Sequence, residues 1–107
     1  MYQPKGQKKV FMEAEKQMTY DENNAIDLFK SAMAMNISGE YSVSAAYAIG
    51  YYYDQQAVVD SALKYYTWIK ENHPRSEQSI QANSRMMSIN LALSTIEADT
   101  TESVIQD

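Results

Sequence analysis

The sequence predicts an all-α protein of antiparallel helical hairpins, and three observations predict it. Only 3 glycines and 2 prolines interrupt 107 residues, so few positions break a helix. Hydrophobic residues make up 45% of the chain and recur at three- and four-residue steps, the period of a helix face. Polar clusters and the few Gly and Pro residues divide this pattern into about five segments.

Residues 1–7, with Pro4 and Gly6, read as a flexible lead-in. A first helix is expected from about Lys8 to Thr19, with Val10, Phe11, Ala14 and Met18 on one face. Asp21-Glu22-Asn23-Asn24 suits a turn and a helix N-cap. A second helix follows, with Ala25, Leu28, Phe29, Ala32 and Met33 aligned. Asn36-Ile37-Ser38-Gly39 ends it, and Gly39 is expected as a left-handed cap.

A third helix places Ala46, Ile49, Gly50 and Tyr53 together, and Gly50 is small enough to admit a neighbouring helix. After the break at Asp54-Gln55-Gln56, Val59, Ala62, Leu63, Tyr66 and Ile69 repeat the spacing. Pro74 stops this fourth helix, because its ring clashes with the preceding turn and it lacks an amide proton. Ser76 or a neighbour caps a fifth helix over 77–98, whose apolar stripe is Ile80, Met87, Leu91 and Ile96, widened by Met86, Ile89 and Leu93. Residues 99–107 form an acidic tail expected to fray.

The third and fourth helices resemble a tetratricopeptide repeat, a helix–turn–helix unit with a 34-residue period. Counting from Val43, the family's small and apolar sites fall on Ala46, Ile49, Gly50, Tyr53, Ala62, Tyr66 and Ile69, and its terminal proline on Pro74. Ala46 departs from the usual large aromatic, with Tyr47 beside it, and Ala57 occupies a turn where glycine is common. Ala25, Phe29 and Ala32 stand 37 residues before Ala62, Tyr66 and Ile69, marking a degenerate first unit in which Glu13 or Ala14 replaces Gly50. The resemblance implies a short right-handed solenoid over 8–98, with units at 8–39 and 43–76 and a capping helix at 77–98. The longer spacing, His73-Pro74-Arg75-Ser76 and AAYAIGYYYD are similar to repeat domains of bacterial envelope proteins. Examples are the outer-membrane barrel-assembly lipoprotein and the periplasmic coordinator of the Tol–Pal system. That likeness implies a protein-binding scaffold of the periplasm or envelope, with the cytoplasm as the alternative.

Composition narrows the function classes. A net charge of −5 argues against nucleic acid, which requires clustered Lys and Arg. No apolar run approaches the roughly 20 residues of a membrane-spanning helix. The opening MYQPKGQKKV lacks the apolar core of a signal peptide. Zero cysteines exclude disulfides and thiolate metal sites. His73, the single histidine, stands ahead of Pro74 and reads as a carbonyl cap or solvent-facing group. Glu13, Glu15, Asp54 and Asp60 sit at solvent-type spacings, and no glycine-rich phosphate loop is present. The expectation is a non-enzyme with no cofactor and no metal.

Tyrosine carries the functional signal, with 9 in the chain and three in a row at Tyr51–Tyr53. Adjacent helical residues differ by about 100°, so these three cannot share one core face. With Tyr53 inward, Tyr47 and Tyr51 share another face, which in the family lines a concave groove; Ser44, Asp54 and Gln55 join it there. Two readings stand: packing on the neighbouring unit, or an aromatic–polar groove for a peptide or protein segment. The alternative function is self-assembly, through the solenoid ends or a Tyr65/Trp68 face. Lys5, Lys8 and Lys9 at one end, and Glu97, Asp99, Glu102 and Asp107 at the other, allow head-to-tail homo-oligomers.

Overall fold

The computed structural model describes residues 4–106, with side chains for 6–95. The described residues form five helices and no strand: α1 (Pro4–Tyr20), α2 (Glu22–Met35), α3 (Glu40–Gln55), α4 (Val59–Asn72) and α5 (Glu77–Gln106). The all-α class and the number of helices agree with the sequence reading. Each helix packs on the next, and α3 also touches both α1 and α5. The array is elongated, 65 × 32 × 16 Å, with a radius of gyration of 16.7 Å. A compact chain of this length would measure about 13 Å.

Small residues let the helices approach. Ala14, Ala25, Ala32, Ala45, Ala46, Ala62 and Ala82 are fully buried. The 37-residue correspondence holds in burial: Ala25, Phe29 and Ala32 in one hairpin, and Ala62, Tyr66 and Ile69 in the other, are all inaccessible or nearly so. Each hairpin also has an aromatic contact across its helices. Phe11 meets Phe29 at 5.5 Å, and Tyr47 meets Tyr66 at 5.8 Å. Ala14 is buried while Glu13 is exposed, so Ala14 takes the inward position in α1.

Helix ends follow local chemistry. Asp21 accepts a bond from the Asn24 amide at the start of α2. Ser76 Oγ accepts from the Ser79 amide at the start of α5. α4 stops at Asn72, two residues before Pro74, as expected. α3 ends in a Schellman motif: the Val58 amide donates to the Tyr53 carbonyl and the Ala57 amide to that of Asp54. Ala57 takes the left-handed position of this motif, with φ 61°.

Four expectations are corrected. The lead-in at 1–7 is helical from Pro4, a residue suited to a first helical turn because its missing amide proton is no loss there. Gln7 is buried and donates to the carbonyls of Ala32 and Asn36, closing the C-terminal end of α2 from outside. Gly39 is not left-handed; its φ is −79° and it precedes α3 as N-cap. In α5, Ile80, Met87 and Leu91 face solvent, while Ser79, Ala82 and Ile89 face the core. The α5 helix passes through the expected boundary at 98 and continues to Gln106. The side chains of Lys5, Ile96 and the terminal acids lie outside the described residues, as does residue 107.

A methyl group at Gly50 would lie 2.8 Å from Tyr66 Cε1. Gly50→Ala should therefore destabilise the fold by about 2 kcal/mol in a urea titration, because the buried ring cannot yield without losing its own contacts. Ala57→Gly should stabilise it by about 0.5–1 kcal/mol. Removing the left-handed penalty of roughly 1–2 kcal/mol outweighs the entropy that glycine adds to the unfolded chain.

Candidate functional site

Two surfaces bear on function, and one polar cluster explains how they differ. Tyr66 is fully buried, and its hydroxyl donates to Asp54 Oδ2 at 2.9 Å. Arg85 on α5 grips the same carboxylate in a bidentate pair, Nε to Oδ2 at 2.7 Å and a terminal nitrogen to Oδ1 at 3.0 Å. The Asp54 side chain is only 7% exposed, that of Arg85 41%. The hydrogen bonds from Arg85 hold the Asp54 carboxyl below its ordinary pKa against the opposing effect of burial, and the Tyr66 hydroxyl adds to the lowering. Burial, and then the bond to Asp54, push the Tyr66 phenol far upward, so it stays a donor.

This cluster lies within the expected α3 groove. Of Ser44, Tyr47, Tyr51, Asp54 and Gln55, two have their polar groups engaged by α5 residues, Ser44 and Asp54. Ser44 accepts from Gln78 at 3.2 Å. Tyr47 packs against Tyr66 and stacks on Tyr51 at 6.2 Å. Asp54 is bound by Arg85 and Tyr66, so it is not a free groove carboxylate. Tyr51 and Gln55 remain exposed. Of the packing signature, Ala46, Ile49, Gly50, Ala62, Tyr66 and Ile69 are buried, Tyr53 is half-buried, and Pro74 lies in the exposed turn after α4.

The second surface is a groove between α2 and α4, which do not pack directly on each other among the described residues. Each packs instead on α3, and the space between them forms two adjoining clefts of about 620 and about 250 Å³ that share Met33, Tyr65 and Trp68. Lys64 and Glu71 border the larger cleft; Lys30 and Ile37 border the smaller. Tyr65 is fixed by stacking on Tyr53 at 6.2 Å. Trp68 is fixed against the His73 ring at 5.5 Å. His73 Nε2 lies 2.8 Å from the Ile37 carbonyl, so that nitrogen carries the proton and ties the end of α4 to the α2–α3 connection. His73 thus binds a carbonyl, as its position suggested, although one from the other hairpin.

Lys30 Nζ bonds the Tyr53 hydroxyl at 3.4 Å, and Lys64 Nζ lies 5.6 Å from the Tyr65 ring centre. Burial pulls the pKa of Lys30 down, but Tyr53 and the neighbouring charge outweigh it and the net shift is upward. Both lysines are exposed. The groove therefore offers an apolar aromatic floor bordered by two ammonium groups and the Glu71 carboxylate, a net positive edge on a chain of net charge −5. Sequence reasoning named Tyr65 and Trp68 but treated Met33 as core and passed over Lys30 and Lys64. No spacing rule could have joined them, because the cleft depends on the distance between two helices that are not sequence neighbours.

Comparison with protein-family models, curated proteins and solved structures yields no match to this chain. Among the described residues no helix is long and apolar enough to cross a membrane.

The lowered Asp54 pKa has a pH consequence. Its stabilisation is complete above the ordinary aspartate value and is lost as pH falls through the lower folded value. In urea titrations, Asp54→Asn should cost most near pH 7, and its difference from the parent should shrink as pH falls below about 4. Arg85→Ala should cost about 2 kcal/mol at pH 7, below the range for fully buried pairs because Arg85 is partly solvated.

Proposed function

We propose that this chain is a non-catalytic protein-binding module, a short tetratricopeptide-like scaffold that holds an acidic–apolar segment in the groove between α2 and α4. One observation carries this reading: the adjoining clefts floored by Met33, Tyr65 and Trp68 lie beside Lys30 and Lys64 on an otherwise acidic chain. An apolar side chain of the partner would fill the Trp68 cleft, where a rigid aromatic gives contact area at little entropic cost. Partner carboxylates would pair with the lysines at the rim and set orientation and association rate. The likeness to repeat domains supports the class. The envelope compartment rests on the narrower likeness at 43–76.

The α3 face is the second reading, favoured by Tyr51, which is 47% exposed and held flat against Tyr47. It offers a smaller apolar contact, and its central carboxylate is already paired.

The single tryptophan provides the readout. Peptides pairing an apolar residue with two or three acids should change Trp68 fluorescence on binding. Trp68→Phe, followed by calorimetry, should weaken the best of them by about tenfold or more. Lys64→Glu should weaken it several-fold, with the loss greatest at low salt. Tyr51→Ala should leave binding unchanged; the opposite pattern of mutant effects would assign the site to α3.

A further inference from the structure

We infer that the outward face of α5 is a homodimer surface, occupied by α5 of a second copy running antiparallel. The helix carries two stripes with the same spacing. Ser79, Ala82, Met86 and Ile89 step by three, four and three, and point at α3 and α4, where Ala82, Met86 and Ile89 belong to the core around Tyr66 and Ile69. Ile80, Ser84, Met87, Leu91 and Ser94 step by four, three, four and three, and point at solvent. Alternating three- and four-residue steps form the seven-residue repeat by which one helix seats along another. The inward stripe has its partners, and the outward stripe has none within the described residues.

Exposure is large along this second stripe: Ile80 is 72% exposed, Met87 64% and Leu91 69%. A shallow groove of about 580 Å³ runs between Ser84, Met87, Leu91 and Ser94, where serines leave room beside the larger side chains. Every residue from Asn90 to Thr95 is exposed, so this part of α5 has no packing support among the described residues. A helix segment without packing is marginal in water, and a neighbour along it supplies what is missing.

Charge selects the occupant. Between Glu77 and Glu97 the sequence has one charged residue, Arg85, and that guanidinium is bound to Asp54. Lys70 of α4 reaches the edge of this face, where it donates to Asn83 at 3.0 Å, so the stripe itself offers no charged side chain to a partner recognised through ion pairs. A second copy, also at −5, can approach at this uncharged face while its acidic remainder stays distant. The antiparallel arrangement separates the two acidic bodies to opposite ends and opposes the helix dipoles. A two-fold axis near Ile89 places Met87 against Leu91 of the second copy and Ser84 near its Ser94. The unsupported half of each helix then lies on the packed half of the other. Such an interface is closed and isologous, unlike head-to-tail growth through the terminal charges.

The test combines sedimentation with cysteine cross-linking in a chain that has no cysteine of its own. The full chain should form a dimer that persists in high salt, with no larger species. Leu91→Glu should weaken it by on the order of 100-fold, since two-fold symmetry places the charge in the interface twice. The urea unfolding midpoint of the core should be unchanged in this variant, because Leu91 makes no core contact, and its helical circular dichroism should fall by no more than the turns after Ile89 contribute. A mixture of Ser84→Cys and Ser94→Cys chains should oxidise to a mixed disulfide dimer, and neither alone should. A monomer at all concentrations, an open-ended polymer, self-linking of Ser84→Cys alone, or a dimer broken by Trp68→Phe but not by Leu91→Glu would each overturn the proposal. The Trp68 groove is read separately by peptide binding, so either surface can fail without the other.

Discussion

Tyr66 lies where three helices converge, and the hairpin geometry depends on how its two ends are accommodated. Its ring is buried and needs close packing, which Gly50 permits by presenting no side chain at the point where α4 crosses α3. Its hydroxyl needs a partner, because an unpaired polar group in the interior costs roughly 1–3 kcal/mol, a large part of what burying the ring gains. Asp54, four residues beyond Gly50 and so one turn along the same helix, supplies it. The carboxylate is then itself nearly enclosed, and Arg85 from α5 neutralises it. One buried ring thus orients α4 on α3 directly and α5 through a charge.

The same requirement recurs where helices end. The last carbonyls of α2 are met by Gln7 from α1 and by Ser42 from α3, and the Ile37 carbonyl is met by His73 beyond α4. In each case the side chain comes from a different helix or from the other hairpin. Of these, the Ser42 and His73 bonds join the two hairpins, while Gln7 closes α2 within its own. No buried side-chain nitrogen or oxygen among the described residues lacks a partner.

Core completion also decides what remains on the surface. With α2 and α4 both seated on α3, a channel stays open between them, and the aromatic residues beside the core line it. With α5 seated by one stripe on α3 and α4, its other stripe has no helix to meet. The proposed peptide groove and the proposed dimer face both follow from how the five described helices pack, α2 and α4 on α3 and α5 by one stripe. They differ in chemistry: the groove has two lysines and one glutamate at its rim, while the outward α5 stripe has no charged side chain of its own.

Five helices, the limits of the inner three, a cap within Asp21–Asn24 and another at or beside Ser76, the stop before Pro74 and the tight position at Gly50 were legible in the residues, while the start of α1 and the end of α5 were not. Each depends on interactions within a turn or two, where side-chain type and spacing act alone. The inward choice among Tyr51, Tyr52 and Tyr53 was partly legible, since only one of three successive helical residues can point to one side. Sequence did not reveal that Asp54 is enclosed, that Gln7 closes another helix, or that Ile80, Met87 and Leu91 face outward. An apolar stripe at helical spacing looks the same whether it meets a core or solvent. Only the placement of α5 against Tyr66 and Asp54 chose which of its two stripes would be covered, because that choice is made by contacts 19 to 31 residues away along the chain.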